Sequence, residues 1–202
     1  MPKVVDPEER RRSVAEAVFR VAARGGLEQA SLRNVADEAG LAIGSVRHYF
    51  GSHDELLTFA MGVLEQRVQQ RLSGYADRVA AAESAADRRT VVEHLLGELL
   101  PLDTERHEEA AVWLAFINAA RTRPQLASRA REAYDGVRIV VRLVLAGAHA
   151  AGRLADGLDI DLETERLAAL LDGLATDAVL QPGRMPPDTM IAVLRRHLDS
   201  LT

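Results

Sequence analysis

Between Ser31 and Leu57 the chain reads SLRNVADEAGLAIGSVRHYFGSHDELL, two short helical patterns interrupted at Gly40 and closed by an aromatic cluster. Val35, Ala36 and Ala39 give the first pattern one apolar face, and the small Ala36 lets a second helix come close. Gly40 tolerates the positive φ of a sharp turn. Beyond it Leu41, Val46 and Phe50 are apolar anchors, the last two at i, i+4 on one face. Ile43, Gly44, Ser45, Arg47, His48 and Tyr49 are then left to face outward. This is the layout of a helix-turn-helix, in which a first helix braces a second that lies in the DNA major groove against base edges.

The segment resembles the DNA-binding domain of the TetR family of bacterial one-component transcriptional regulators. There a Tyr- and His-rich end of the recognition helix leads through Phe into a Ser-Lys-(Asp/Glu)-Glu-Leu start of the next helix. The matching residues are His48, Tyr49, Phe50, Gly51, Ser52, His53, Asp54, Glu55 and Leu56. The resemblance continues more weakly to the C-terminus, where RRTVVEHLLGELLPLD, EEAAVWLAFINAA and LLDGLA are similar to the regulatory domain of the BetI-type subgroup. It implies an all-α fold, with a three-helix DNA-binding domain over residues 1–53 and a helical ligand-binding and dimerisation domain over 54–202. The implied function is a ligand-responsive regulator, more commonly a repressor. It would bind a palindromic double-stranded DNA operator as a homodimer and be released by a small-molecule effector. A subgroup resemblance does not transfer the ligand's identity.

The DNA-binding residues expected on this basis are Ser31, Arg33, Ile43, Gly44, Ser45, Arg47, His48, Tyr49 and His53. Arg47 is the expected guanine reader, with Ser45 and Gly44 close to the groove and His48, Tyr49 and Ser31 on phosphates. Two positions depart from the family pattern. His53 stands where the family has a Lys at a backbone phosphate, and a neutral imidazole is the weaker phosphate partner. Ala42 stands where a Ser usually caps the recognition helix, which removes a side-chain acceptor and costs roughly 0.5 to 2 kcal/mol.

The net charge of −5 fits a DNA binder only when divided by segment. Residues 1–53 carry eight Lys or Arg against seven Asp or Glu, a balance of +1 that leaves −6 for the rest. Lys3 and Arg10 to Arg12 cluster near the start of the first helix, where they can meet phosphates. The chain has no cysteine, which excludes disulfides, thiolate nucleophiles and Cys-based zinc sites. Its longest uncharged run, Ala110 to Ala120, is 11 residues, and the charged start lacks the apolar centre of a signal peptide. No membrane partner and a cytoplasmic location are therefore expected.

Helical patterns occupy most of the remaining chain. Asp6 and Glu9 cap a first helix that ends at Gly25 and Gly26, Ser31 caps a second, and Ser52 with Glu55 forms a capping box for a fourth. Further helices are predicted at about 88–100, 104–121, 124–151, 161–180 and 187–200. The last two carry stripes, Leu167, Leu170, Leu171 and Leu174 on one and Ile191, Leu194 and Leu198 on the other, with Gly173 permitting close approach. The stripes can serve the chain's own core, and the resemblance favours pairing with the same helices of a second copy around a two-fold axis. Ala110 to Ala120 is apolar nearly all round, which predicts a helix enclosed by others and a candidate effector pocket. Trp113, Phe116 and Ile117 would line it, faced by Leu95, Leu99 and Tyr134, with His94 and Arg138 as polar specifiers. Trp113 with Tyr134 suits a cation.

Enzyme signatures are missing. There is no G-x-G-x-x-G, the single Lys at position 3 excludes a Walker loop, and no E-x-x-H pair exists for a di-iron bundle. No cofactor or metal is expected. The alternative class is a helical interaction module that keeps the head without using it on DNA, and sequence-specific DNA binding separates the two.

Overall fold

The computed structural model describes residues 7–202, which leaves Lys3 and the expected cap Asp6 outside the described residues. Within them the elements are helical, with no strand. In order they are α1 (Pro7–Gly25), a 3₁₀ turn (Leu27–Gln29), α2 (Leu32–Glu38), α3 (Ile43–Tyr49), α4 (His53–Leu72), α5 (Tyr75–Ala81), α6 (Ala85–Gly97), α7 (Thr104–Ala120), α8 (Pro124–Ala150), α9 (Ile160–Leu180) and α10 (Pro187–Asp199). None of the described helices is long and apolar enough to cross a membrane.

Local chemistry sets the boundaries. A capping box between Ser84 and Asp87 starts α6 three residues before the predicted 88, and single-turn bonds over Glu98 to Leu100 follow its end. At α4 the Ser52 hydroxyl accepts the Glu55 N–H at 3.1 Å, but the Glu55 carboxylate takes the N–H of Gly51 at 2.9 Å, so the expected box closes one residue upstream. The short α5 was not predicted. It begins after Gly74, whose φ is 81°, and Tyr75 is buried with its hydroxyl 3.0 Å from Glu98.

Packing groups the chain into two compact units. The first holds the residues up to Arg67 together with Glu108–Arg131, and the second holds Val68–His107 and Glu132–Thr202. Three helices, α4, α7 and α8, thus contribute to both.

In the first unit α1 packs on α2, and α2 on α3. Val14, Val18 and Phe19 of α1 are buried, as are Val35, Ala36, Val46 and Phe50. Glu38 of α2 receives Arg20 at 2.6 Å and also Arg24, and their hydrogen bonds hold its carboxyl below the ordinary value. Arg67 of α4 pairs with Glu16 of α1 and lies 3.4 Å from the buried Glu109 of α7, with its guanidinium 4.8 Å from the Phe19 ring centroid.

In the second unit the core gathers Leu96, Leu100, Val141, Leu145, Leu167, Leu171, Leu174, Met190, Leu194 and Leu198. This corrects the expected dimer face. Leu167, Leu171, Leu174, Leu194 and Leu198 are enclosed by the chain's own helices, and Leu170 packs partly against the same core. Ile191 is half-buried, its Cδ1 3.8 Å from where a Cβ on Gly97 would stand. An apolar stripe at helical spacing is satisfied first by neighbours on the same chain, and these were within reach. Among the described residues, the large apolar side chains left in solvent are Ile139 and Leu143 on α8 and Leu162 and Leu180 on α9, each 59 to 69% exposed. Gly173 is exposed, with open space where a Cβ would stand.

Candidate nucleic-acid interface

Ser31 is the N-cap of α2, its hydroxyl oxygen accepting the Asn34 N–H at 3.2 Å. That leaves the hydroxyl proton for an outside acceptor. The Asn34 side chain donates to the Gln29 carbonyl at 2.8 Å and holds the approach to the cap. At the other end of α2, Gly40 has φ 66°, Leu41 N–H bonds Ala36 C=O at 2.9 Å and Gly40 N–H bonds Asp37 C=O at 3.2 Å. These two bonds form a Schellman motif, and its left-handed residue turns the chain into α3.

α3 starts from Ala42, which makes no side-chain cap bond, as its methyl side chain requires. Val46 and Phe50 are 0% exposed, so the helix is fixed in rotation. Gly44, Ser45, Arg47 and His48 are exposed, while Ile43 and Tyr49 are half-buried. The His48 and Tyr49 rings meet edge to face at 5.4 Å. Arg33 is exposed on α2. Eight of the nine expected residues are thus on α2 or α3 or at the cap, and each retains surface.

His53 differs. It is half-buried, with Nε2 2.9 Å from the Ala30 carbonyl and Nδ1 3.5 Å from Nη1 of Arg123. A carbonyl oxygen only accepts, so Nε2 carries the proton and Nδ1 presents its lone pair to the guanidinium. Both ring nitrogens face protein atoms, which corrects the expectation of a phosphate contact. Arg11 is also turned inward, its guanidinium 5.3 Å from the Phe50 ring centroid and 4.6 Å from that of Phe59. Arg12 is exposed beside Glu8 at 3.8 Å.

The expected effector residues fall in two groups. Trp113, Phe116 and Ile117 are in the first unit, where Phe116 is buried and the other two are half-buried. α7 buries one face, Glu109, Val112, Phe116 and Ala120, and so is less enclosed than its composition predicts. His94, Leu95, Leu99, Tyr134 and Arg138 are in the second unit. Leu95 and Leu99 pack against its core, and His94 is exposed. Arg138 lies 5.6 Å from the Tyr134 ring centroid and bonds both Glu165 oxygens from Nε at 2.9 Å. Its charge is therefore engaged. Sequence reasoning missed Asp172 of α9, whose carboxyl burial pushes up while Arg138 opposes, and whose charge helps raise the Tyr134 phenol behind the larger effect of burial. It also missed Arg123, because nothing local marks a partner 70 residues away.

Comparison with known proteins matches residues 15–58 to bacterial regulatory proteins of the tetR family and residues 88–202 to the C-terminal domain of BetI-type transcriptional repressors. The chain is 38% identical over 201 residues to the HTH-type transcriptional regulator PksA of Bacillus subtilis (strain 168), covering 100% of this chain and 94% of that one. A solved transcriptional regulator from Rhodococcus sp. Rha1 superposes with TM-score 0.75 at 32% identity, over 95% of each chain. A regulator from Saccharomonospora viridis in complex with choline superposes with TM-score 0.80 at 23% identity, over 95% of this chain and 96% of that one.

Proposed function

Because the chain belongs to the tetR family of bacterial regulatory proteins, with a BetI-type C-terminal domain, and is a DNA-binding transcriptional regulator rather than an enzyme, we propose that it acts as a homodimeric repressor. It binds a palindromic operator and is released by a small organic cation. The observation that carries the DNA reading is the rotation of α3, which buries Val46 and Phe50 and leaves Gly44, Ser45 and Arg47 outward. Arg47 reads guanine, a contact that contributes about 1 to 3 kcal/mol of discrimination. Ser31, Arg33, His48 and Tyr49 position the helix on phosphates, with Ile43 beside the groove.

One seven-residue helix reads too few base pairs for genomic specificity, and two heads on a palindrome answer that need. The second copy covers Ile139, Leu143, Leu162 and Leu180, which lie on helices tied together by Arg138 with Glu165 and Arg142 with Asp161. The effector class is supported by the aromatic Tyr134 and the electrostatically linked Asp172 carboxylate, and by the choline held in the Saccharomonospora viridis regulator. Acting on DNA, the protein works in the bacterial cytoplasm.

Selection from a random duplex pool, followed by salt titration of the winning sequence between about 50 and 200 mM, tests this reading. Neutralising about eight phosphates per dimer gives a log-log slope near −7 and a loss of about four decades. A palindromic winner with that slope is expected, and choline is expected to release it. A folded protein that enriches no sequence overturns DNA recognition. Choline without effect removes that cation as the effector.

A further inference from the structure

We propose that His53 and Arg123 are positioning residues for DNA recognition, holding the cap of α2 in place from the turn between α7 and α8. The inference rests on the reading of Ser31 and α3 as the DNA-contacting surface. Ala30 is fully buried and immediately precedes Ser31, the N-cap of α2. Its carbonyl is the acceptor for the His53 Nε2–H at 2.9 Å, while the neighbouring Gln29 carbonyl is taken by the Asn34 side chain at 2.8 Å. The two carbonyls leading into the cap are therefore each held by a side chain, one from within α2 and one from the first residue of α4.

His53 does not stand alone. Arg123 has Nη1 3.5 Å from the His53 Nδ1 and 3.3 Å from the Asp54 Oδ1. Its own backbone is fixed at both ends, the N–H on the Ala119 carbonyl at 3.1 Å and the carbonyl on the Leu126 N–H at 3.0 Å. All these residues belong to the first compact unit. The chain of contacts runs from a rigid helix corner, through an ion pair and an imidazole, to the backbone beside Ser31. An imidazole whose donor and acceptor sides are both occupied fixes one tautomer and one ring orientation. A phosphate-binding residue needs an outward donor, and His53 has none to offer in this orientation.

Positioning and phosphate contact give different salt behaviour. Removing a cationic phosphate contact lowers the log-log slope by about 0.9, whereas removing a positioning bond lowers affinity at unchanged slope. The variants are His53→Leu, His53→Gln and Arg123→Ala, titrated on the duplex selected by the wild-type protein. The Gln side-chain amide reaches about as far as the imidazole Nε2 and donates to the same carbonyl. His53→Leu and Arg123→Ala are expected to bind roughly tenfold more weakly with the wild-type slope, and His53→Gln within about twofold of wild type. A slope reduced by about one, wild-type affinity in His53→Leu, or His53→Gln as weak as His53→Leu overturns the proposal. Amide chemical shifts of Ser31 and Asn34, recorded without DNA, make the test independent of operator binding. They are expected to move in His53→Leu and Arg123→Ala and to return in His53→Gln, and unmoved shifts overturn the proposal. A wild-type protein that selects no duplex counts against the DNA reading, and the shifts still decide whether the cap is held this way.

Discussion

Gly44 occupies the second position of α3 in ordinary helical geometry, and a Cβ built there meets nothing within 4 Å. A glycine inside a helix costs roughly 0.5 to 1 kcal/mol relative to alanine, and nothing within the protein requires it. On the proposed reading of α3, the close approach it permits is toward the groove. Gly44→Ala is therefore expected to stabilise the protein by up to about 1 kcal/mol while weakening operator binding, measured by thermal melting and by titration of the selected duplex. Equal or tighter DNA binding by the variant would place α3 away from the base edges. At this scale the sequence was informative wherever the determining partner is close. Val46 and Phe50 follow from spacing on one helix face, Gly40 from the turn, and the missing cap at Ala42 from its side chain. His53 was not legible in the same way, because its partners lie 23 and 70 residues distant and a ring with two nitrogens faces a phosphate or a carbonyl equally well on paper.

Among the elements, α9 and α10 explain both a success and a correction. Their periodicity located them to within one residue at each end, yet periodicity does not say whose side chains fill the facing groove. Met190, Leu194 and Leu198 of α10 are buried, while Arg195 and Arg196 are exposed, so this helix spends its apolar face on the chain's own core. Leu194→Ala should cost about 2 to 5 kcal/mol in denaturant unfolding and leave the oligomeric state at saturating stability unchanged. The contact between α9 and α10 also carries a pH dependence. Burial pushes the His197 imidazole below its ordinary value, the Arg166 guanidinium adds to this, and Glu163 opposes. With the folded value depressed, the folded state binds fewer protons, so stability is complete above about 6.5 and falls as pH drops toward the folded value. Melting temperature should decline between pH 7.5 and 5.5 by more in wild type than in His197→Gln, and parallel declines would show that His197 is not responsible. The helix α5 stayed hidden for a different reason. Seven residues supply too few periods to stand out, and its order comes from Tyr75 on Glu98, a contact 23 residues apart.

For the whole molecule, the units drawn by packing are not contiguous stretches. α4 carries Arg67 to its partners Glu16 and Glu109 in the first unit and, one turn later, Arg71 to Glu98 at 3.6 Å in the second. α7 likewise carries Arg106 to Glu98 at 3.1 Å on one side and Glu109 on the other. The split at residue 53 expected from the sequence groups residues by their expected contacts outside the chain, while packing groups them by what they touch inside it. On the proposed reading, an effector is coupled to DNA only by binding two states of the protein unequally, and about 1 to 3 kcal/mol of coupling changes DNA affinity roughly 5- to 150-fold.

The proposed two-fold assembly makes a demand that can be measured without any effector. If the exposed Leu143 on α8 lies at the centre of the contact between copies, Leu143→Glu places a carboxylate where a second identical one must face it. Its cost to the isolated chain is small, because the side chain is 69% exposed there and supports none of the core. Light scattering should then report a monomer with a wild-type melting profile at low protein concentration. On DNA the monomer neutralises only one head's share of phosphates, so the salt slope should fall by half, from about −7 to about −3.5. The affinity should fall by several decades at the same time, because the second head no longer binds at the effective concentration set by the first. A dimer that persists in Leu143→Glu would move the contact to another surface. A monomer that keeps the full slope would mean that each head already contacts the phosphates assigned to two.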